Sequence, residues 1–231
     1  GMLRFYYNGA PNPMKVALFL EEAGLDYEPV PIDTRRGDQH AAAYKAINPN
    51  AKAPAIVDDG VVVFDSNAIL LYLADKTGRF LPDEGPAGRA ALLSWLMFVA
   101  TGVGPYSGQA VHFRHFAPGD TRYGVKRYDF EARRHWSIVD ERLAERRYML
   151  GDRYTIVDMA VWGWALRIPF MLGDDDAMAA FPNLKRLTDE IGARPAAERA
   201  HALAKRHAFK TAFDEEAMRH LYPQMFAPDP A

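Results

Sequence analysis

Asp65 and Ser66 are the neighbouring residues in this sequence with the clearest chemical potential. They follow a predicted strand and precede an apolar pattern in which Ile69, Leu70 and Leu73 recur at helical spacing. Serine is a typical N-cap, and a helix N-terminus offers N–H groups and partial positive charge to an anion. A carboxylate bound there would leave Asp65 as a partner for an amine. An α-amino acid head group carries both charges.

Two further features could belong to such a site. Pro54 directly precedes a predicted strand, where either a cis peptide bond or an ordinary trans proline fits the pattern. Asn12 and Pro13 fit an N-cap followed by a proline at the first helical position. Each feature also occurs without a ligand, and an Asp-Ser pair before a helix is most often only a cap. None of them alone establishes a site.

The sequence contains no cysteine. Structural disulfides, thiolate metal sites and a protein thiol nucleophile are therefore excluded. Any sulfur chemistry would have to use the thiol of a ligand. His112 and His115 lie close in sequence, but no further histidine or carboxylate is placed to complete a metal site, so we expect no metal.

The elements that must position these side chains begin with a strand–helix–strand unit. Alternation predicts a strand over residues 3–7, and a second strand follows at 27–32. The helical pattern between them ends at Gly24, a typical C-terminal residue. This order implies a right-handed βαβ unit with parallel strands. No glycine-rich dinucleotide motif follows the first strand.

A hairpin and a helix complete this part of the chain. Asp59 and Gly60 are a strong two-residue turn signal between predicted strands at 55–58 and 61–64. The helix that begins after the hairpin is predicted over residues 66–78. The prediction for the N-terminal part is therefore a βαβ-ββα domain.

The rest of the chain is predicted to be helical. A linker rich in proline, glycine and acidic residues covers 79–88. Apolar patterns predict helices over 90–103 and 124–146, and Pro182 begins another. Helices without intervening strands indicate an all-α second domain.

A capping box marks one of these helices. Thr155 is the expected N-cap and Asp158 the N3 residue that reaches back to it. From Ala208 onward the pattern weakens, and we expect the proline-rich end to be loose. The predicted domains are residues 2–80 and 88–225.

Composition restricts the partners. The chain has 231 residues, enough for one large or two small domains, and a net charge of −2. This balance gives no basis for binding nucleic acid or an anionic membrane. No apolar run reaches the roughly 18 residues of a membrane span, and no signal peptide opens the sequence. We expect a cytoplasmic protein.

Two motifs resemble the glutathione transferase superfamily. The stretch KAPAIVDDGVVVFDSNAILLYLADKTG at 52–78 is most similar to the bacterial Nu-class transferases. The box from Thr155 to Asp158, followed by Trp162 and Trp164, fits the same family. The resemblance covers nearly the whole chain. It implies a thioredoxin-like N-terminal domain, an all-helical C-terminal domain, a homodimer and glutathione as cosubstrate.

The resemblance also implies which residues hold glutathione. They are Asn12, Gln39, Lys52, Ala53, Pro54, Asp65, Ser66 and Arg127. Ala53 is expected to act through its backbone, and Arg127 to cross the dimer interface to a glutathione carboxylate. Without the family pattern, Gln39 and Lys52 read as exposed loop residues and Arg127 as a solvated helix charge.

The turn before the first helix departs from the family. Nu-class members have Thr-Pro-Asn-Gly there, whereas this chain has APNP at 10–13. Asn12 is retained and is the expected catalytic donor to sulfur. Ala10 has no hydroxyl and Pro13 no N–H, which weakens thiol activation. We therefore expect reduction of disulfides by glutathione to exceed conjugation with small electrophiles.

Alternative interpretations stay open at this point. Tyr6 or Tyr7, near the end of the first strand, could supply the missing hydroxyl, as a tyrosine does in other transferase classes. A regulatory protein of this fold would bind glutathione without catalysis, and the change at Ala10 permits it. An isomerase or dehalogenase that uses glutathione catalytically also fits the sequence.

Overall fold

The computed structural model describes residues 2–83 and 85–231. The chain forms two compact units, which are described separately here. The first unit is built from two segments of the chain, the residues up to Ile69 and Arg199–Ala231. The second unit comprises Leu70–Glu198. The C-terminal segment is thus grouped with the N-terminal part of the chain.

The first unit contains a mixed β-sheet. In the described residues its strands are β1 (Leu3–Tyr7), β2 (Tyr27–Pro31), β3 (Ala55–Asp58) and β4 (Val61–Phe64). Their order is β2-β1-β3-β4, with β1 parallel to β2 and the remaining pairs antiparallel. Both the predicted βαβ unit and the predicted hairpin are confirmed.

The first unit also contains helices, which lie between and after these strands in the sequence. They are α1 (Pro11–Ala23), a 3₁₀ turn (Asp38–His40), α2 (Ala42–Ile47), α3 (Ser66–Thr77), α10 (Pro195–Ala204), α11 (Glu215–Leu221) and a second 3₁₀ turn (Pro223–Phe226). The unit boundaries fall within α3 and α10. The end of α1 at Gly24 is confirmed: that glycine has φ 65°, a conformation it adopts without steric penalty. The short α2 was not predicted.

Apolar burial fixes the first unit around its sheet. Phe5 of β1, Phe19 and Leu20 of α1, and Ile56 of β3 are fully buried. A second buried cluster contains Tyr6, Ile32, Tyr44 and Ala55. The alternation of side chains along β1 places Phe5 and Tyr6 on opposite faces of the sheet.

The second unit is helical throughout its described elements. After the remainder of α3 they are α4 (Pro86–Phe98), a π-helical segment (Val99–Val103), α5 (Gly104–His115), α6 (Arg122–Arg142), α7 (Ile156–Ala165), α8 (Ile168–Leu172), a 3₁₀ turn (Ala177–Ala180) and α9 (Pro182–Gly192). The predicted helices at 90–103 and 124–146 are present with shifted ends. Helix α4 begins within the predicted linker because Pro86 suits a first helical turn.

The predicted capping box is confirmed at the start of α7. Thr155 Oγ1 accepts from Val157 N (3.3 Å), and Asp158 Oδ2 accepts from Thr155 N (2.8 Å). Asp158 Oδ1 also accepts from Met149 N (2.8 Å). Burial raises the pKa of Asp158 to about 7, although its hydrogen bonds favour the carboxylate. This residue fixes the start of α7.

One helical run is long and apolar enough to span a bilayer by length and composition. It extends over residues 86–115, with a mean hydropathy of 1.3 in its most apolar window, and 33% of that window is buried in the fold. A buried core helix passes the same test, so this is weak evidence. The expectation of no membrane partner stays a prediction.

The weak pattern after Ala208 does not predict the helix found there, whereas residues 228–231, the end expected to be loose, form no helix or strand. The helix is α11, capped by Asp214, whose Oδ1 accepts from Ala217 N (3.0 Å). Lys210 N donates to Asp33 Oδ2 (2.8 Å), which ties the segment to the loop after β2. The predicted domains at 2–80 and 88–225 stay a prediction.

Candidate functional site

The N-terminus of α3 is capped by Asp65. Its Oδ2 accepts from Asn67 N (3.1 Å) and Ala68 N (3.0 Å). The prediction of Ser66 as the N-cap is therefore wrong, because Ser66 is already the first helical residue. Asp65 adopts a positive φ of 74°, which aspartate tolerates better than most residues.

Ser66 lies at the centre of a small polar cluster. Its hydroxyl accepts from Lys15 Nζ (3.2 Å) and donates to Asn12 Oδ1 (3.3 Å). Lys15 Nζ also donates to Asn67 Oδ1 (3.1 Å). Ser66 is 5% exposed and Lys15 only 1%. The structure thus joins the starts of α1 and α3, as the positions of Asn12 and Ser66 in the predicted site require.

Asn12 is the second residue of α1 and not its N-cap. The cap is Ala10, which makes no side-chain capping bond, and Pro11 occupies the first position. The helix begins earlier than predicted because proline fits this position. The side-chain oxygen of Asn12, Oδ1, accepts a hydrogen bond from the Ser66 hydroxyl. The NH₂ group of Asn12 is directed away from that bond and is the donor end of the side chain.

The first turn of α1 is poor in backbone donors. Pro11 and Pro13 have no N–H, and Met14 N donates to Ala10 O (3.2 Å). Ala10 N donates to the side chain of Asn8 (3.0 Å). Among the first three helical positions, the backbone therefore offers a donor only at Asn12.

The Ala53–Pro54 peptide bond is cis. The loop before it is fixed by Lys52, whose carbonyl accepts from Tyr44 Oη (2.6 Å) and Asn48 Nδ2 (2.7 Å). Ala53 packs against the cluster around Tyr44. The side chain of Lys52 is exposed, as predicted. The backbone of this loop is therefore firmly held while its cation faces solvent.

Gln39 differs from its expected environment. Without the family pattern it reads as an exposed loop residue, but it is only 4% exposed. Its Nε2 donates to Thr34 O (3.0 Å) and to His220 O (3.2 Å). Its Oε1 is buried without a hydrogen-bond partner among the described residues. The C-terminal segment covers this side chain, a contact that local sequence patterns do not reveal.

Both tyrosines of β1 are buried. Tyr7 is fully buried, and its hydroxyl donates to Leu203 O (3.1 Å) and contacts His207 Nδ1. Burial raises the pKa of Tyr7, which disfavours its anion. The Tyr6 ring packs against Tyr44 in the second buried cluster. A buried and engaged hydroxyl is a poor donor to a ligand thiol, which disfavours Tyr7 as the activating group.

Arg127 belongs to the second unit. It lies on α6 with an exposed side chain, and its guanidinium is 5.9 Å from the centre of the Tyr128 ring. The same unit holds His115, whose ring stacks on Phe170 at 3.8 Å. Among the described residues, no three histidine or acidic side chains form a group that could hold a metal ion.

Lys15 is the residue of the cluster that sequence reasoning missed. Burial lowers its pKa to about 7, and the negative charge of Asp65 opposes this change. A signal was present: all residues from Pro13 to Leu20 are buried, and Lys15 is the charge within that apolar run. A lone lysine in a fully buried helical stretch needs polar partners.

Comparison with known proteins identifies the family. The model of the glutathione S-transferase N-terminal domain matches residues 3–75, and that of the C-terminal domain matches residues 131–190. The chain belongs to the glutathione S-transferase family. This transferase is 40% identical over 206 residues to the disulfide-bond oxidoreductase YfcG of Escherichia coli. The aligned region covers 86% of this chain and 94% of YfcG.

Solved structures agree with this assignment. A glutathione transferase family member from Pseudomonas fluorescens, with two glutathione molecules bound, has a TM-score of 0.82 and 35% identity, covering 87% of this transferase and 92% of that chain. A glutathione transferase from Pseudomonas putida, with one glutathione disulfide bound per subunit, has a TM-score of 0.79 and 32% identity, covering 87% and 90%. The predicted family, fold class and enzyme class are confirmed.

Proposed function

We propose that this transferase binds glutathione and glutathione disulfide and catalyses the reduction of small disulfides by glutathione. Conjugation of glutathione to electrophiles is the weaker activity. The reaction takes place in the cytoplasm, where glutathione keeps thiols reduced. The observation that carries this proposal is the polar cluster of Asn12, Ser66 and Lys15 beside the capped start of α3.

The γ-glutamyl end of glutathione binds at the start of α3. Its carboxylate lies at Ser66, where the hydroxyl and the positive end of the helix favour an anion. Its ammonium pairs with Asp65, since one carboxylate oxygen caps the helix and the other can accept from the ligand. The exposed ammonium of Lys52 favours the second carboxylate of the tripeptide.

The middle of the tripeptide follows the loop at Pro54. The backbone of Ala53 pairs with the cysteinyl residue of glutathione, and Pro54 shapes that edge. Gln39 contributes by holding the loop after β2 in place, because both of its N–H groups serve backbone carbonyls and its Oε1 is buried. Asn12 donates its amide N–H to the glutathione sulfur and is the catalytic residue.

The reaction is thiol–disulfide exchange between ligand sulfurs. The thiolate of bound glutathione attacks the glutathione sulfur of a mixed disulfide, a new S–S bond forms, and the old S–S bond breaks. The departing thiolate takes a proton from water and leaves as a thiol. Glutathione is oxidised to its disulfide as the substrate is reduced. This route needs no protein thiol, and the chain contains no cysteine.

Parallel assays test the ranking of the two activities. We expect appreciable turnover of a mixed disulfide of glutathione and 2-mercaptoethanol, and weak turnover of 1-chloro-2,4-dinitrobenzene. The physical reason is the donor-poor first turn of α1, which limits the thiolate population but does not prevent exchange. A reversed ranking at equal glutathione concentration would contradict the preference.

We also propose that the transferase is a homodimer in which Arg127 reaches a glutathione carboxylate of the partner. Exposed apolar side chains support an interface on each unit: Val61 and Phe64 on β4, and Tyr123 and Phe130 on α6. Sedimentation velocity should give a species of twice the mass of the chain. Loss of glutathione affinity in Arg127→Ala, without dissociation of the dimer, would support the carboxylate contact.

A glutathione-binding regulator without catalysis is the second candidate. The observation that favours it is the first turn of α1. Ala10, Pro11 and Pro13 have no hydroxyl, the two prolines have no N–H, and Ala10 N already donates to the side chain of Asn8. Calorimetric binding of glutathione together with no turnover in either assay would select this function. Turnover of the mixed disulfide that Asn12→Ala reduces would exclude it.

A further inference from the structure

Lys15 connects the two helix ends of the proposed glutathione site. Its amine donates to Ser66 Oγ (3.2 Å) and to Asn67 Oδ1 (3.1 Å), both at the start of α3. Ser66 Oγ in turn donates to Asn12 Oδ1 (3.3 Å). The hydrogen bonds thus run from a buried amine, through the residue proposed to hold a carboxylate, to the residue proposed to face the sulfur.

The number of acceptors around Lys15 indicates a neutral amine. Among the described residues, two acceptors lie within hydrogen-bond distance of its Nζ. A neutral amine has two N–H groups to donate, whereas an ammonium has three. The side chain is 1% exposed, so solvent cannot readily supply a third acceptor. Burial accordingly lowers the pKa of Lys15 to about 7.

We propose that Lys15 is a positioning residue of the glutathione site, which holds Ser66 and Asn12 in place and takes up a proton when a ligand carboxylate binds at Ser66. The inference rests on the proposed function. The proton comes from solvent. Lys15 does not touch glutathione and acts through the Ser66 hydroxyl.

Charge neutralisation explains the coupling between binding and protonation. In the free protein, Asp65 is the charged group that acts on Lys15 among the described residues, whereas Ser66 and Asn67 are neutral. A carboxylate at Ser66 adds a second negative charge close to the amine. An opposite charge within about 4–6 Å raises the pKa of an amine by about 1–3 pH units. The protonated amine also polarises the Ser66 hydroxyl, whose single hydrogen then donates to the ligand carboxylate in place of Asn12 Oδ1.

Calorimetry of the whole protein tests proton uptake. The probe is S-methylglutathione, whose blocked sulfur removes thiol ionisation, titrated at pH 8 in buffers of different ionisation enthalpy. We expect the wild type to take up roughly 0.4 to 0.9 proton per site, and Lys15→Met to lack this contribution and bind more weakly, by about 10-fold. Lys45→Met, at an exposed lysine of α2, is the matched control and should behave as the wild type.

A second measurement avoids dependence on how the variant folds. NMR of wild-type protein with ¹⁵N-labelled lysine side chains should show a buried amine that is neutral at pH 8 and charged when S-methylglutathione saturates the site. An amine that is charged without ligand, or equal affinity and proton uptake in Lys15→Met, would overturn the role of Lys15 alone. Failure of the wild type to bind S-methylglutathione or glutathione would overturn the proposed function and this inference together.

Discussion

The starts of α1 and α3 are joined through Asn12 and Ser66, yet they are built in opposite ways. Helix α3 begins with a carboxylate cap at Asp65 and a buried hydroxyl that a lysine supports. Helix α1 has Ala10 as its N-cap, which makes no side-chain capping bond, and prolines at its first and third positions. One end is rich in groups that recognise charge, and the other retains a single side-chain donor.

Under the proposed function, binding and activation of glutathione belong to separate helix ends. A free thiol has a pKa of about 8.5, and lowering it by two pH units requires about 2.7 kcal/mol. One neutral hydrogen bond contributes about 0.5–1.5 kcal/mol, so Asn12 alone accounts for about one pH unit at most. Exchange tolerates this limit, because an attacking thiol works best with a pKa near the ambient pH.

The largest expected effect concerns the buried amine of Lys15, which donates to Ser66 and Asn67 at the start of α3. Because the pKa of Lys15 is lowered from 10.5 to about 7, the unfolded chain binds more protons between these values. The free energy of unfolding should therefore rise with pH across this window, relative to Lys15→Met, by up to about 1.4 kcal/mol per pH unit. Below pH 7 the lysine is charged in both states and the slope should vanish.

Urea denaturation of wild type and Lys15→Met at several pH values between 7 and 10 measures this slope. Lys45→Met is the control, since an exposed lysine should leave the pH dependence unchanged. A constant difference in unfolding free energy between wild type and Lys15→Met would mean that Lys15 stays charged in the fold. The contrast between the two helix ends would then rest on hydrogen bonding alone.

Removal of the hydroxyl at the start of α3 is the next largest change. A hydrogen bond to a charged group contributes about 1.5–3 kcal/mol, so Ser66→Ala should weaken glutathione binding roughly 10- to 150-fold. Turnover at saturating glutathione should change much less. Thr77→Ala, at the opposite end of the same helix, is a matched control and should keep the wild-type affinity. Equal losses in affinity and turnover would show that the two ends are not functionally separate.

Removal of the donor at the start of α1 should have the complementary effect. Asn12→Ala should lower kcat for the mixed disulfide about 2- to 10-fold, with a smaller change in glutathione affinity. Asn12→Asp keeps an oxygen near Ser66 but replaces the donor with a negative charge, so its loss should be larger and its pH–rate profile should shift to higher pH. An unchanged rate in both variants would place sulfur activation elsewhere.

Local sequence patterns predict the strands and their turns because the residues that determine these elements are close together in the sequence. The Asp59-Gly60 turn between two runs of strand-forming residues fixes the hairpin, and Gly24 fixes the end of α1. The box of Thr155 and Asp158 is likewise contained within one helical turn. In each case, the residues that determine the structure are neighbours in the sequence.

The parts that could not be predicted depend on contacts between distant segments. Gln39 is buried because His220 O accepts from it, and Lys210 N binds Asp33 across most of the chain. The partners of Lys15 lie on α3, far away in the sequence. Periodicity carries no information on such pairs. The lone lysine in an apolar run marked a buried polar group but not its partners.

Restoring a hydroxyl to the start of α1 is the gain-of-function test with the smallest expected effect. Ala10 is the N-cap of this helix and has an extended backbone, which suits a threonine. Ala10→Thr should raise conjugation of 1-chloro-2,4-dinitrobenzene about 2- to 10-fold, as one added hydrogen bond to the thiolate allows. Ala10→Val has a similar shape without the hydroxyl and is the control. If both variants raise conjugation equally, shape and not hydrogen bonding limits α1, and the contrast with α3 loses its chemical basis.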